Sequence, residues 1–337
     1  MGRFTMDRRQ VIARQQKLLL DEVRKLCGSG EPYALVDWPN YANPGDSAIW
    51  LGAVKVMKNA TGRDPSYVCA SDHYDPEDLK KNCPNGPIVI IGGGQFGDVW
   101  EGHQLFRLNL MRDFPGRRII QLPQSIKFHS MDKAAATRDA IVNHGNFHVL
   151  VRDTASKAFC DQHLGTTAIL APDCAFSIGP IDVPPAKPGR FVFLRRLDKE
   201  AGTTDYADLL AANPITDDWI LPSKTIPAGV KLSARIKAMI GGGSNAQARR
   251  FIKYNIYAQW RLDQGIKFLQ SGVAVFTDRL HGMIVSTLID RPVVVFDNNN
   301  GKVAGYYKAW LSDLKTARIV QTGKEAMSAV AEVRTAA

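Results

Sequence analysis

A strand, a turn, a helix and a second strand follow one another in Val273-Ala-Val-Phe-Thr-Asp-Arg-Leu-His-Gly-Met-Ile-Val-Ser-Thr-Leu-Ile-Asp-Arg-Pro-Val-Val-Val-Phe296. The short apolar run at its start is typical of a buried parallel strand. After a polar break, apolar residues recur at helical spacing until Pro292 ends the helix, and a second apolar run begins. This stretch therefore predicts a βαβ unit of a parallel sheet.

The polar break of this unit carries two residues suited to binding anions. Asp278 is the expected N-cap of the helix, which would put Arg279 and His281 in the first helical turn, at the carboxyl end of a strand. Open α/β sheets bind ligands at this edge, and a helix N-terminus favours anions. The pair therefore predicts an anion site, although a single Arg is more often a solvated charge and a single His a structural residue.

The whole chain of 337 residues favours two domains over one. Its 45% hydrophobic and 23% charged residues are ordinary for a soluble globular protein. The clearest linker is the proline-rich segment 177–190, after which the alternation of strands and helices starts again. We therefore expect two Rossmann-like α/β domains, 1–183 and 184–337, with strand ends from both facing a shared cleft.

Charge is unevenly divided between these halves. Residues 1–185 hold 21 Lys and Arg against 20 Asp and Glu, a net of +1, whereas residues 186–337 hold 22 against 13, a net of +9. Such asymmetry predicts an anionic ligand or an anionic surface. There is no nucleic-acid recognition motif, and the basic residues are not interleaved with aromatic ones as stacking platforms require. Phosphorylated small molecules or the headgroups of a cytoplasmic membrane leaflet are therefore favoured over nucleic acid.

Cysteine usage and the N-terminus bear on location. The five cysteines are odd in number, scattered and without a C-x-x-C pair, which suits a reducing cytoplasm and argues against a structural zinc site. The basic N-terminal segment lacks the apolar core of a secretion signal, and no apolar run is long enough to span a bilayer. We expect a cytoplasmic protein, and no metal site is predicted.

A polar turn follows the first clear strand, Tyr33 to Trp38. It ends in Asn43-Pro-Gly-Asp46, and a helix is predicted from Ser47. Asp46 would lie near the carboxyl edge of the sheet or at the N-cap of the helix. A ligand-facing carboxylate and a plain capping residue are both open at this point.

A glycine-rich segment raises the possibility of a dinucleotide cofactor. Gly92, Gly94 and Gly97 satisfy G-x-G-x-x-G after a strand. A dinucleotide site also requires an acidic residue at the end of the next strand. That strand, Arg118 to Leu122, is followed by a predicted turn at Pro123-Gln-Ser125 instead. We therefore disfavour a nicotinamide or flavin cofactor and interpret the glycines as allowing close approach of the backbone.

Beyond the linker, the strand from Phe191 to Leu194 runs into Arg195-Arg196. Two guanidinium groups at a strand end would point toward the cleft, and their planar forks match carboxylate and phosphate. A basic rim without a ligand is the alternative.

Together these segments resemble the polysaccharide pyruvyl transferase family over roughly residues 35 to 305. The similarity rests on the order of five motifs along the chain, which are Asn43-Pro-Gly-Asp-Ser-Ala-Ile49, Gly92-Gly93-Gly94 with Asp98, Val151-Arg-Asp153, Pro172-Asp173 and Asp278-Arg-Leu-His-Gly282. Lys302 also occupies a position where the family usually has a lysine. The resemblance implies a fold like the GT-B glycosyltransferases.

The resemblance further implies phosphoenolpyruvate as donor and a sugar with two suitably placed hydroxyls, carried on a lipid-linked oligosaccharide, as acceptor. The product would be a pyruvate ketal on a cell-surface polysaccharide, and no cofactor is implied. Arg279, Arg195 and Arg196 are expected to hold the donor, with Lys302 in support. Asn43, Gly93 and Gly94 are expected to line the substrate loops. His281 would donate a proton or bind phosphate, and Asp46 would act as the acceptor-side base.

Two other functions fit parts of the sequence. One is a GT-B glycosyltransferase using a nucleotide sugar, which would usually have an acidic residue for the ribose in the C-terminal half, and none is identified. The other is a basic, non-catalytic protein that docks on anionic lipid as a scaffold of polysaccharide assembly. Release of inorganic phosphate from phosphoenolpyruvate would separate both from a pyruvyl transferase.

Overall fold

The computed structural model describes residues 6–186, 189–197, 201–219, 226–297 and 301–336. Within them the chain forms an α/β fold with two parallel sheets, one of seven strands and one of five. The predicted fold class is therefore confirmed at this level. No helix in the described ranges is both long and apolar enough to cross a membrane.

The first sheet contains β1 (Ala34–Val36), β2 (Tyr67–Cys69), β3 (Ile88–Ile90), β4 (Gly93–Gly97), β5 (Ile119–Lys127), β6 (Phe147–Val151) and β7 (Ile169–Leu170). The second contains β8 (Val192–Leu194), β9 (Ile215–Asp217), β10 (Val275–Thr277), β11 (Val293–Phe296) and β12 (Ala317–Val320). Their orders are β2-β1-β3-β5-β6-β7, with β4 paired to β5, and β12-β11-β10-β8-β9.

The helices are α1 (Arg8–Leu26), α2 (Pro44–Thr61), α3 (Pro76–Asn82), α4 (Glu101–Asp113), α5 (Met131–His144), α6 (Thr154–His163), α7 (Ala207–Ala211), α8 (Ala228–Gly242), α9 (Ala246–Leu269), α10 (Leu280–Leu288), α11 (Lys302–Tyr306) and α12 (Gly323–Thr335). Two 3-10 turns lie at Ser71–His73 and Cys174–Ile178, and a π-helical turn lies at Tyr307–Leu311.

The order of strands reverses once in each sheet. In the first sheet, the strand after β1 is added on one side and the strands after β3 on the other. In the second sheet, the same reversal lies between β8 and β10. In open parallel sheets, ligands bind outside the carboxyl ends of the strands at such a switch point. The loops after these four strands are therefore where the fold itself favours a ligand.

The unit β10–α10–β11 confirms the predicted βαβ stretch. Its strands are parallel, with Val275 opposite Val293, and every residue of both strands is buried. The predicted N-cap is wrong, because α10 begins after Arg279 rather than after Asp278. The carboxylate of Asp278 is turned away and accepts hydrogen bonds from the Arg196 backbone N–H at 2.7 Å and the Tyr206 hydroxyl at 3.2 Å.

The glycine-rich segment confirms the predicted close approach of the backbone, because a Cβ on Gly92 would lie 2.6 Å from the Pro123 carbonyl oxygen. Gly93–Gly97 is a strand, β4, and the next helix begins only at Glu101. The turn predicted at Pro123 is wrong, because β5 continues through it to Lys127. Its register against β6 shifts between Gln121 and Gln124. A proline, which cannot donate to the ladder, is tolerated at such an interruption.

Helices α1 and α9 each pack into a hydrophobic cluster of the other half of the chain. Val11 of α1 belongs to a buried cluster with Val275 and Leu288 of the second sheet's half. Ala258 of α9 belongs to a cluster with Trp50 of the first half. The ranges 1–183 and 184–337 thus separate the two sheets, whereas α1 and α9 pack across that division.

Candidate active site

A cavity of about 650 Å³ lies at the carboxyl ends of the strands of both sheets. Its size is within the range of small-molecule sites. It is lined by loop and first-turn residues from both halves, which are Asn40, Tyr41, Ala42, Asn43, Asp46, Gly94, Gln95, Trp100, His103, Arg152, Arg196, Trp219, Arg279, Leu280, His281 and Lys302. Most of the site residues predicted from sequence are therefore brought together here.

The loop after β1 presents Asp46 at the first turn of α2. Asn43 is the N-cap, and its side-chain oxygen accepts from the Gly45 N–H at 2.8 Å and the Asp46 N–H at 3.4 Å. Its side-chain amide donates to the Asp46 carboxylate at 2.8 Å. Because Asn43 is the N-cap, the alternative that Asp46 is merely the cap is wrong, and Asp46 is among the residues that line the cavity.

Gly45 is the point where two sequence motifs meet. A Cβ on Gly45 would lie 2.7–2.8 Å from the Cβ, Cγ and Nδ1 atoms of His281. Real side chains do not approach so closely, so the imidazole can occupy its place only because residue 45 is a glycine. The glycine of the Asn43–Asp46 motif thus fixes the position of the histidine from the Arg279–His281 motif.

His281 belongs to a buried polar network with Asp173 and Arg152. Its Nε2 lies 3.5 Å from Asp173 Oδ2 and 3.5 Å from the Arg152 Nη1. The Arg152 guanidinium donates to Asp173 at 2.6 Å and to the Ser125 hydroxyl at 2.9 Å. Burial alone would raise the pKa of the Asp173 carboxyl, but the hydrogen bond and charge of His281 and the charge of Arg152 hold this pKa well below its usual range. Asp173 is therefore ionised and orients both the Arg152 guanidinium and the His281 ring.

Arg152 and Lys302 converge on one face of Gly94. The Arg152 Nη2 lies 3.3 Å, and the Lys302 Nζ 3.5 Å, from the position that a Cβ on Gly94 would occupy. Arg152 follows β6 of the first sheet, and Lys302 begins α11 after β11 of the second. Two cations from different sheets thus flank the same small space beside the cavity, and the missing side chain of Gly94 leaves that space open.

The three other predicted arginines are placed differently. Arg279 lines the cavity and is 8% exposed, and its guanidinium forms an ion pair with Asp218 at 2.5 Å. Arg196 also lines the cavity. Arg195 is not among the lining residues, and its guanidinium lies over the Tyr206 ring, 5.1 Å from the centroid.

The predicted glycines also differ from each other. Gly94 lines the cavity, but Gly93 does not. The backbone of Gly93 has a φ of 139°, and a Cβ there would lie 3.1 Å from the side-chain oxygen of Gln95. Gly93 therefore shapes the strand rather than the cavity surface.

His103 also lines the cavity and is paired with the buried Asp37, a pair that the sequence analysis did not identify. His103 Nδ1 lies 2.9 and 3.1 Å from the two carboxylate oxygens of Asp37. Burial lowers the pKa of His103, but the hydrogen bond and charge of Asp37 outweigh this and raise it above its usual value. Asp37 directly follows β1 with a φ of 71°, a left-handed conformation that is uncommon for a residue other than glycine.

The side chains at the cavity fall into two groups by chemical type. We call Arg152, Arg196, Arg279, His281 and Lys302 the cationic wall. We call Tyr41, Asn43, Asp46 and His103, with Asp37 behind them, the acidic wall. The sequence could have indicated His103 and Asp37, since Asp37 ends a buried strand and His103 is in the first turn of the helix after the glycine-rich segment. Arg152 lies in the Val151–Asp153 motif, where a structural ion pair or a helix cap would explain the residue types equally well.

Among the described residues, no group of three or more His, Cys, Asp and Glu side chains is arranged to hold a metal ion. The arrangement can instead hold a small anion on the cationic wall and accept protons on the acidic wall.

Comparison with known proteins identifies the family. The family model for polysaccharide pyruvyl transferase matches residues 43–300, which is more than half of the chain. This chain belongs to the polysaccharide pyruvyl transferase family. The matched range contains Asn43, Asp46, Arg152 and the Arg279–His281 motif. Membership indicates a transferase that acts in pyruvyl transfer to polysaccharide.

Individual relatives agree with the family match. EpsO of Bacillus subtilis (strain 168), which is named provisionally as a pyruvyl transferase, is 30% identical over 92% of this chain and 94% of its own length. Pyruvyl transferase 1 of Schizosaccharomyces pombe (strain 972 / ATCC 24843) is 29% identical over 89% of this chain and 75% of its own length. An uncharacterized protein of Klebsiella pneumoniae subsp. pneumoniae NTUH-K2044, solved by crystallography, has a TM-score of 0.57 and 17% identity, covering 91% of this chain and 98% of the other. This last likeness concerns the fold alone.

Proposed function

We propose that this protein transfers the pyruvyl group of phosphoenolpyruvate to two hydroxyls of one sugar, forming a pyruvate ketal during synthesis of a cell-surface polysaccharide. The observation that carries the proposal is the convergence of Arg152 and Lys302 on the open face of Gly94, with His281 beside Arg152. Phosphoenolpyruvate is a small molecule with both a carboxylate and a phosphate. It needs several cations in a confined space, and the cationic wall offers them.

The proposed architecture is GT-B-like, with Rossmann-like domains 1–183 and 184–337 and the cavity as the cleft between them. The switch points of both sheets, with loops that line one cavity, support it. In this arrangement the second domain supplies most of the donor site, through Arg196, Arg279, His281 and Lys302. The first domain supplies Arg152 and the acceptor site.

The reaction begins with a proton. An acid protonates the methylene carbon of phosphoenolpyruvate, which leaves C2 electrophilic, and a sugar hydroxyl attacks C2. The second hydroxyl then displaces phosphate and closes the ketal. One of the two hydroxyl protons returns to the acid, which has given its own proton to the methylene carbon. The other hydroxyl proton leaves with inorganic phosphate.

His281 is the proposed acid. The carboxylate of Asp173 and the ring's contact with Gly45 hold the imidazole in one orientation at the cavity surface. In an alternative role His281 binds the leaving phosphate together with Arg152 and Lys302. In either role the cations stabilise the negative charge that develops on the departing phosphate.

The acidic wall is the proposed acceptor site. Asp46 and the Asp37–His103 pair are suited to accept protons from two hydroxyls, because each offers a carboxylate or an imidazole at the cavity. Asn40, Tyr41 and Asn43 supply further hydrogen-bonding groups for a sugar, and Trp100 supplies an aromatic face. We propose a lipid-linked oligosaccharide as acceptor, reached from the cytoplasmic face of the membrane.

The test is acceptor-dependent release of inorganic phosphate. The protein is mixed with phosphoenolpyruvate and a lipid extract from a polysaccharide producer, and phosphate and acceptor mass are measured. We expect phosphate release together with the mass gain of one pyruvyl ketal, both lost in Lys302→Met and retained in Gly102→Ala. Gly102 is a matched control because a Cβ there would meet nothing within 4 Å.

Two results would replace the proposal. Release of a nucleoside diphosphate from a nucleotide sugar, without consumption of phosphoenolpyruvate, would assign the protein as a glycosyltransferase. Binding to the extract without turnover of either donor would assign it as a scaffold.

A further inference from the structure

Helix α8, Ala228–Gly242, exposes an apolar surface that no described residue covers. Leu232 is 60% exposed, Ile236 50%, Met239 63% and Ile240 80%. Isolated exposed apolar residues are ordinary, but four large ones within nine positions of one helix form a contiguous patch. We call these four residues the α8 patch.

The opposite face of α8 is fixed against α9. Ala234, Ala238 and Gly242 are its buried residues, and they follow one another at intervals of one turn. A Cβ on Gly242 would lie 2.6 Å from Arg249 Cγ and 2.8 Å from Arg249 N, so the two helices are in close contact there. Because the small residues face inward, the large apolar ones are held outward, and a rotation that buried the patch would break this contact.

Three cations accompany the α8 patch. Lys231, Arg235 and Lys237 are all exposed, and the helix contains no Asp or Glu. At about 100° per residue, Arg235 falls beside one edge of the patch and Lys237 beside the other. An apolar stripe bordered by cations matches the interface of a bilayer, where apolar side chains enter the acyl boundary and cations meet the headgroups.

We infer that α8 docks this protein in the plane of an anionic phospholipid surface. Charge complementarity favours a membrane over a second copy of the chain. A second copy would bring the three cations of α8 against three more, and the buried centre of protein interfaces is depleted in charged residues. The net charge of +9 over residues 186–337 adds to the attraction of anionic headgroups.

The position of α8 relative to the cavity is compatible with this role. Helix α9 leads from α8 toward the cavity, where a Cβ on Gly265 would lie 2.6 Å from Pro44 and 3.2 Å from Trp219. Arg261 of the same helix donates to the Pro39 carbonyl at 2.7 Å. Docking through α8 would therefore hold the cavity within about one length of α9, roughly 36 Å, of the lipid headgroups. The inference stands without the proposed chemistry, since lipid binding needs no turnover.

The experiment is flotation of the full chain with vesicles. One set contains phosphatidylcholine only, and the other contains phosphatidylcholine with phosphatidylglycerol. The variants are Ile236→Glu with Ile240→Glu, which adds charge to the patch, and Lys231→Gln with Arg235→Gln and Lys237→Gln, which removes the cations. The matched control is Val142→Glu, an equally drastic change at a residue of α5 that is 57% exposed.

We expect the native protein and the control to float with the anionic vesicles and not with the neutral ones. The patch variant should lose at least about 10-fold in partitioning, and the cation variant should lose its preference for anionic lipid. Thermal unfolding curves superimposable on those of the native protein would verify that the variants fold. Turnover of phosphoenolpyruvate with a water-soluble acceptor should be unchanged in the patch variant, which separates docking from catalysis.

Two outcomes would overturn the inference. One is equal flotation of the native protein and the folded patch variant. The other is a native protein that does not float but is dimeric by light scattering and becomes monomeric in the patch variant, which would assign the patch to a second copy.

Discussion

The two walls of the cavity are built in different ways. Side chains of the cationic wall come from both sheets and are held by buried ion pairs, Arg152 with Asp173 and Arg279 with Asp218. Side chains of the acidic wall come only from the first sheet's half and are held by short-range capping and by the Asp37–His103 pair. The cationic wall therefore depends on how the halves are joined, whereas the side chains of the acidic wall all come from one half.

This difference has a functional consequence. A carboxylate and a phosphate need fixed, converging charges, which networks such as Ser125–Arg152–Asp173–His281 provide. Neutral hydroxyls need hydrogen-bond acceptors rather than converging charges, and the acidic wall offers the Asp46 carboxylate and the His103 imidazole. We therefore expect variants of the cationic wall to change the kinetic constants for phosphoenolpyruvate, and variants of the acidic wall to change those for the sugar.

The largest effect is expected for His281→Gln. Loss of the proposed proton donor should reduce kcat about 10²–10⁴-fold, because positioned general acids contribute on that scale. Initial rates of phosphate release at saturating acceptor measure it. His163→Gln, at an exposed histidine of α6, is the matched control and should retain full activity. Near-native turnover of the His281→Gln enzyme would show that the Arg279–His281 turn takes no part in the reaction.

Asp46→Asn should act on the acceptor side and reduce kcat/KM for the sugar by about 100-fold. The amide keeps the shape of the carboxylate but not its basicity, so the KM for phosphoenolpyruvate should stay within about 2-fold of native. Steady-state rates with each substrate varied in turn measure both values. An equal rise in the donor KM would show that the two walls do not work separately.

Gly94→Ala should give a smaller effect, confined to the donor. A methyl group there would lie 3.3 Å from the Arg152 guanidinium and 3.5 Å from the Lys302 amine. It would fill the space between them, and we expect the KM for phosphoenolpyruvate to rise about 10-fold while stability changes by less than about 1 kcal/mol. Gly102→Ala, which meets open space, should leave the KM unchanged. Identical KM values in both variants would mean that the donor binds elsewhere.

The smallest expected effect is the pH dependence of the stability that the His103–Asp37 pair contributes. The pKa of His103 is raised in the folded protein, so its pair with Asp37 stabilises the fold fully below the unfolded-state pKa of about 6.5 and less as pH rises through the folded-state pKa. The difference in free energy of unfolding between native protein and His103→Gln should therefore be larger near pH 6 than near pH 9. Urea unfolding at both pH values measures it, and a difference that grows with pH contradicts the assignment.

Elements with a strong local pattern were predicted correctly. Two apolar runs separated by helical periodicity identified β10, α10 and β11. The turn formers around Asn43 indicated a helix after β1, but α2 begins at Pro44, three residues before the predicted Ser47, because the Asn43 side chain caps it there. Predictions failed where local rules competed with tertiary contacts. Asp278 has the ideal residue type for an N-cap, yet its carboxylate binds the Arg196 N–H and the Tyr206 hydroxyl instead. Pro123 has the residue type of a turn, yet β5 continues through it to Lys127.

Residue types and their order along the chain were enough to establish a parallel α/β protein with polar loops after its strands and a basic C-terminal half. They could not establish that His103 meets Asp37 across 66 positions, or that Arg152 meets His281 across 129. Periodicity specifies which face of an element is buried, but not which distant element covers it. Partners so far apart are chosen by the order of strands in the sheets and by the way the two halves are joined, so the convergence of Arg152 with His281 and Lys302 became visible only in three dimensions.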